Sequence, residues 1–262
     1  MFRRPSFALF SAALAASILG CSKGEQATPS GGGAPAQTAA APNGPLGTAT
    51  ITGQVKFVGK APENPPIDMS AEAACKADYA TTPHQPIVVV NPNGTLANVF
   101  VYVKSGLPPD ARYAPPATPV TLDQQGCLYH PRVFGIMVGQ SLAIKNSDQL
   151  LHNIKAMGKL NRPFNISQPT ANMTTARTFA ASEVMVPFEC NVHGWMHAFA
   201  GVLPHPFFAT TGADGTFTIA NLPAGTYTLE IWHEQYGTQD VTVTVADHET
   251  KTVNAQYGGR AS

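Results

Sequence analysis

The chain has 262 residues, of which only 12% are charged, and its 16 basic and 16 acidic side chains cancel. That balance, with no basic stripe, excludes a nucleic-acid partner, which needs clustered Lys and Arg to neutralise phosphates. No Gly-rich phosphate loop, G-x-S-x-G or H-E-x-x-H motif occurs.

At the N-terminus, Arg3 and Arg4 precede an uncharged apolar run from Phe7 to Leu19. Such a run is too short to span a bilayer and has the size of a signal-peptide core. It ends Ile18-Leu19-Gly20-Cys21, which resembles the bacterial lipobox. The resemblance implies that residues 1–20 are a lipoprotein signal and that Cys21 carries the lipid. Ser22 replaces the aspartate that favours inner-membrane retention, so the expected location is the periplasm, anchored at the outer membrane. The alternative is an ordinary secretory signal in which Cys21 is incidental. Residues 21–47 are rich in Gly, Pro and Ala and have little to bury, so they cannot offset their ordering entropy and read as a flexible tether. Its root-mean-square reach is roughly 25–30 Å.

The roughly 215 residues that remain suffice for one large β-domain or two small ones. Residues 48–119 form an N-terminal β-segment with strands at Thr50–Phe57 and Val99–Val103, and only Ser70–Tyr79 reads as a short helix. Further period-two runs lie at Thr216–Ile219, Tyr227–Ile231 and Val241–Val245. Turn signals at Asn93-Gly94, Asp214-Gly215 and Pro223-Ala224-Gly225 separate them. Many short strands with regular turns indicate an all-β, antiparallel Greek-key sandwich.

The chemistry is concentrated in Cys190-Asn191-Val192-His193-Gly194-Trp195-Met196, with His152-Asn153 upstream. Two imidazoles, one thiolate and one distant thioether are the ligand set of a blue-copper electron-transfer site. Residues 120–208, through Val138–Asp148 leading to His152 and through the C-x2-H-x2-M loop, resemble the cupredoxin family, with the short ligand loop of its amicyanin-like members. That resemblance implies His152, Cys190 and His193 as copper ligands and Met196 as the axial ligand. It also implies Asn153 as the residue that clips the ligand loop by a hydrogen bond. His197 remains an alternative axial ligand, and zinc an alternative metal. His193 should lie near the surface as the electron port, with Trp195 and Phe199 in an apolar docking patch. Residues 209–262, through Thr211–Phe217 and Leu222–Tyr227, resemble the carboxypeptidase-regulatory (transthyretin-like) module. Thr50–Phe57 fits its first strand, so the two sandwiches either adjoin or are nested.

With Cys21 and Cys190 assigned, Cys75 and Cys127 are left as a disulfide pair in an oxidising compartment. The competing use is a second metal at Cys127 and His130. His205 and His233 read as structural, and His84, His130 and His248 have no evident partner. The sequence thus predicts an electron carrier and not an enzyme. It would hold one copper ion, cycling between Cu(I) and Cu(II), and serve redox proteins such as cytochromes or a periplasmic dehydrogenase. A copper storage or delivery protein, and a carbohydrate- or protein-binding sandwich with a structural metal, stay open as alternatives.

Overall fold

The computed structural model describes residues 42–258. The lipobox with Cys21, the apolar run before it and most of the tether lie outside the described residues. The chain runs β1 (Ala49–Val58), α1 (Ala73–Ala77), β2 (Phe100–Ser105), β3 (Val120–Gln125), β4 (Leu128–His130), β5 (Val133–Met137), β6 (Leu142–Asn146) and β7 (His152–Ala156). It continues through β8 (Phe164–Gln168), β9 (Thr174–Arg177), β10 (Glu183–Glu189), β11 (His197–Leu203), β12 (Phe208–Thr210) and β13 (Thr216–Leu222). The last strands are β14 (Gly225–His233), β15 (Gly237–Val245), β16 (Thr250–Thr252) and β17 (Ala255–Gly258). The protein is all-β, as its turn spacing predicts. Among the described residues no helix is long and apolar enough to cross a membrane.

Among the described residues four sheets pair into two sandwiches. One joins β5-β11-β10-β7-β8 to β4-β3-β6-β9 over a core that includes Leu122, Ile144, Ile154, Phe188 and Ala200. The other joins β12-β2-β14-β15 to a sheet in which β1 pairs with β13, β16 and β17; its core includes Ile51, Val101, Phe217, Leu229 and Val243. The sandwiches are nested: β1 and β2 complete a body whose remaining strands lie after residue 207. The sheets are mixed and not purely antiparallel, because β5 pairs parallel with β11 and β3 with β6. Parallel neighbours need a crossover connection, and here the chain between β3 and β6 crosses through β5 in the opposite sheet.

Strand β2 explains how the bodies join. Val101 and Val103 point into one core, while Phe100 and Tyr102 face the other way, into a seam with Val133, Phe199, Leu203 and Trp232. A strand buried on both faces reads as an unbroken apolar run, which is what Phe100-Val101-Tyr102-Val103 is. Glycines let the seam close. A Cβ on Gly201 would stand 2.4 Å from the Phe100 ring, and one on Gly135 2.2 Å from Phe208. At the edge of the seam, Arg132 makes paired hydrogen bonds to the Glu234 carboxylate at 2.5 and 2.7 Å.

Gly201→Ala forces the buried Phe100 ring to move, and overpacking of this kind costs about 1–3 kcal/mol. Urea unfolding of the variant should show that loss; an unchanged midpoint would mean that the seam tolerates an added methyl.

Candidate metal centre

Alternation places the ligand-type side chains. Along β7, His152, Ile154 and Ala156 face the core. Along β10, Val186 and Phe188 do so, and Cys190 is the next inward position after the strand ends. The 190–196 loop returns the chain to β11 and is closed by hydrogen bonds from Cys190 N–H to Met196 O (3.3 Å) and from Met196 N–H to His193 O (2.9 Å). His193 is thereby folded back over the end of the sandwich.

The result is a tight cluster. His152 Nδ1 lies 2.9 Å from His193 Nδ1, Cys190 Sγ lies 3.9 Å from His193 Nδ1, and all three ligand atoms are within 4.8 Å of one another. The residues are 0%, 2% and 4% exposed for His152, His193 and Cys190. Met196 is fully buried in the same apolar cluster as Cys190. His197 stands one position before inward-facing Ala198, at the opposite face of β11, and belongs to none of the metal-type clusters. Asn153 Oδ1 accepts a hydrogen bond from Asn191 N–H at 3.1 Å, joining β7 to the loop.

Asp148 carries a role that the sequence reading did not assign. Its carboxylate is 2.7 Å from His152 Nε2 and accepts hydrogen bonds from Gly126 N–H (2.8 Å) and Cys127 N–H (2.9 Å). With Nε2 held by Asp148, the ring is oriented so that Nδ1 faces the cluster, where its lone pair would serve a bound metal. The i, i+4 spacing of Asp148 and His152 was the available signal, but spacing alone does not reveal that both are buried.

Gly126-Cys127 form a two-residue hairpin turn with φ of 60° and 55°, the left-handed pair that such a turn needs. Cys127 is the unfavourable member, since only glycine adopts that region freely. Four hydrogen bonds from three partners hold the turn: Asp148 takes both N–H groups, Tyr79 Oη–H donates to Gly126 O, and Trp195 Nε1–H donates to Cys127 O. Cys127 is bonded to Cys75 of α1, with Cα atoms 5.6 Å apart. The bridge closes a 52-residue separation, a constraint of about 4 kcal/mol on the chain-entropy model.

That bridge corrects the expectation of an exposed electron port. His193 is buried because α1 and the disulfide cover its outer edge: Cys75 Sγ lies 3.8 Å and Glu72 Oε2 4.0 Å from His193 Nε2. The docking patch is corrected as well. Trp195 packs on the His193 ring at 5.1 Å and is tied to the turn, while Phe199 lies in the inter-sandwich seam against Trp232. Phe199 faces outward on β11 for the same reason that Ala198 and Ala200 face the metal-side core. The exposed apolar side chains flanking the ligand residues are instead Leu151 and Val192. His130 bonds Gln125 O and joins no cluster. His205 and His233 are buried, and burial pushes both imidazoles down to about 4. A cavity of about 520 Å³ opens among Pro66, Met69, Lys76, Tyr79 and Thr82, and no residue of the His152-Cys190-His193 cluster lines it.

The electrostatics favour a thiolate. Burial raises the Cys190 pKa, but hydrogen bonds from both imidazoles and from the backbone N–H groups of His193 and Asn153 outweigh it and bring the thiol down to about 5. For His152, burial opposes the charged ring, and Asp148 with Cys190 raises it overall. Tyr129, whose hydroxyl donates to Asn153 O at 2.6 Å, is held protonated by burial and by the Cys190 charge.

Residues 204–257 match the carboxypeptidase regulatory-like domain, a stretch that lacks β1 and β2 of the same sandwich. No curated protein matches the sequence. Among solved structures, the purple cupredoxin from Nitrosopumilus maritimus is 18% identical with a TM-score of 0.28, over 32% of this chain and 98% of that one. An oxidised amicyanin variant is 15% identical with a TM-score of 0.30, over 39% and 97%. The copper-containing nitrite reductase from Thermus scotoductus is 20% identical with a TM-score of 0.29, over 39% of this chain and only 26% of its own.

The lowered Cys190 pKa stabilises the folded, metal-free protein fully above the unfolded value near 8.5, and that share is lost as pH falls through about 5. The raised His152 pKa acts oppositely, its share being present at low pH and lost as pH rises through the folded value. The ultraviolet absorbance of the metal-free thiolate, with Cys190→Ser as blank, should titrate with a midpoint near 5. A midpoint near the ordinary thiol value would show that the imidazoles do not hold the thiolate.

Proposed function

We propose that the protein is a one-electron carrier holding a single copper ion on His152 Nδ1, His193 Nδ1 and Cys190 Sγ, with Met196 as a weak axial donor. The observation that carries this reading is the convergence of two Nδ1 atoms and one thiolate in a buried cluster. The donor set fits copper, because imidazole and thiolate together serve both oxidation states and a thioether adds only weak axial bonding. When bound, copper supplies the one-electron cycle between Cu(I) and Cu(II).

The chain's own residues keep the site rigid and dry. Asp148 orients His152, Asn153 pins the loop that carries Cys190 and His193, and α1 with its disulfide excludes water from the outer edge of His193. A donor set that cannot rearrange suits electron transfer, where little should move between the two states. The same cap opposes the storage reading, since a delivery protein needs its metal to be reachable.

Adding Cu(II) to the soluble chain should produce an intense visible thiolate-to-copper band. Cys190→Ser should abolish it with the β-sheet circular dichroism intact, and Met196→Leu should keep the colour while raising the reduction potential. A wild-type protein that binds Cu(II) without colour overturns the assignment. If His197→Ala shifts the spectrum and Met196→Leu does not, His197 is the axial ligand.

The remainder of the reading is an exported protein held at the outer membrane of a bacterial cell by lipid on Cys21, exchanging electrons with periplasmic cytochromes or a dehydrogenase. Its support is the Ile18-Leu19-Gly20-Cys21 sequence and the Gly/Pro/Ala-rich stretch that follows. Cys21→Ala should release the protein from membranes or leave its signal uncleaved. Release of the wild type by salt alone would rule out the anchor.

A further inference from the structure

The disulfide sits on the face of His193 opposite the ligand cluster. Cys75 Sγ, Cys127 Sγ and a His193 ring nitrogen lie within 4.8 Å of one another, all three residues buried, and Glu72 Oε2 is 4.0 Å from His193 Nε2. The inner nitrogen of that ring faces Cys190 and His152, and the outer nitrogen faces Cys75 at 3.8 Å. One imidazole therefore stands between two sets of sulfur donors.

We propose that Cys75 and Cys127, as thiols in the newly exported chain, form with His193 Nε2 a loading site that takes Cu(I) before the bridge closes. Two thiolates and an imidazole are a soft donor set suited to Cu(I). Glu72 sits at the mouth of the site, where its half-exposed carboxylate faces incoming cations. In transfer to the inner cluster the copper would leave His193 Nε2 for Nδ1, the ring proton would move from Nδ1 to Nε2, and Cys75 and Cys127 would take up protons from solvent and return to thiols. The emptied dithiol then closes: Cys75 and Cys127 give up two electrons and two protons to the disulfide of an exported thiol oxidase, which is reduced to its dithiol. The new S–S bond removes the soft donors and leaves α1 locked over the filled site. Both sulfurs are fully buried in the bridged protein.

The site is separable from the carrier reading, although its role as a loading site rests on it. The test uses the full chain carrying Cys190→Ser, titrated with Cu(I) in competition with a chromogenic Cu(I) chelator, before and after reduction by a phosphine, with circular dichroism confirming the fold. The reduced variant should retain one Cu(I) per chain and the oxidised variant none. Adding His193→Ala should weaken the reduced site by about tenfold or more, the scale on which loss of a supporting group acts at metal sites. Equal retention with and without His193 would show a plain dithiol and overturn the proposal, as would no retention after reduction. If Cys190→Ser unfolds on reduction, Cys190→Ala takes its place in the same competition, with and without His193→Ala. Absence of the visible Cu(II) band in the bridged wild type would overturn the carrier reading alone.

Discussion

One buried carboxylate ties the site together. Asp148 accepts from the two backbone N–H groups of a strained turn and from the outer nitrogen of His152. Three donors on a desolvated carboxylate compensate for its burial and depress its pKa despite the desolvation. The turn it holds bears Cys127, and through Cys127 the cap that covers His193. Removing that charge would leave a left-handed Cys127 without its N–H acceptors and His152 without a fixed tautomer. Imidazole orientation and cap placement thus depend on the same group.

Burial of the cluster follows from the topology. A ligand at the end of a strand pair would ordinarily present its outer edge to solvent, because sheets stop where their hydrogen bonds stop. Here a segment belonging to neither sheet, residues 67–79, lies over that end and is pinned there by Cys75. The apolar cluster under it, with Ile67, Met69, Cys75 and Cys127 packed on Leu150 and Trp195, makes the cap part of the core.

The strand pattern and the ligand types were legible in the sequence because both are local. Period two places His152 and Cys190 on inward faces, and C-x2-H-x2-M lies within one loop. That Thr50–Phe57 fits the first strand of the C-terminal module was also legible, but its pairing with β13 was not. What could not be read were contacts between distant positions. Cys75 meets His193 across 118 residues, and no local period reports that approach. Phe199 was misread because an aromatic beside a ligand loop suggests a patch. Its parity on β11 opposes Ala198, and parity gains meaning only when the face opposite the core is known to be covered by a second sandwich.

Among the described residues the second sandwich contributes no side chain to the His152-Cys190-His193 cluster, yet it constrains the first. Strand β11 is buried on both faces, by the ligand-side core and by the seam, and β5 and β2 reinforce it from the outside. The loop that carries Cys190 and His193 is anchored at its far end by this strand. A hairpin on a free sheet edge opens easily, since unpaired edges are the low-stability parts of a fold. Here opening the loop means disturbing β11, whose small inner residues and glycine-lined outer face are both closely packed. Rigidity at the ligands therefore comes from two directions: the disulfide-held cap presses on the outer edge of His193, and the doubly buried β11 prevents the loop from yielding beneath it.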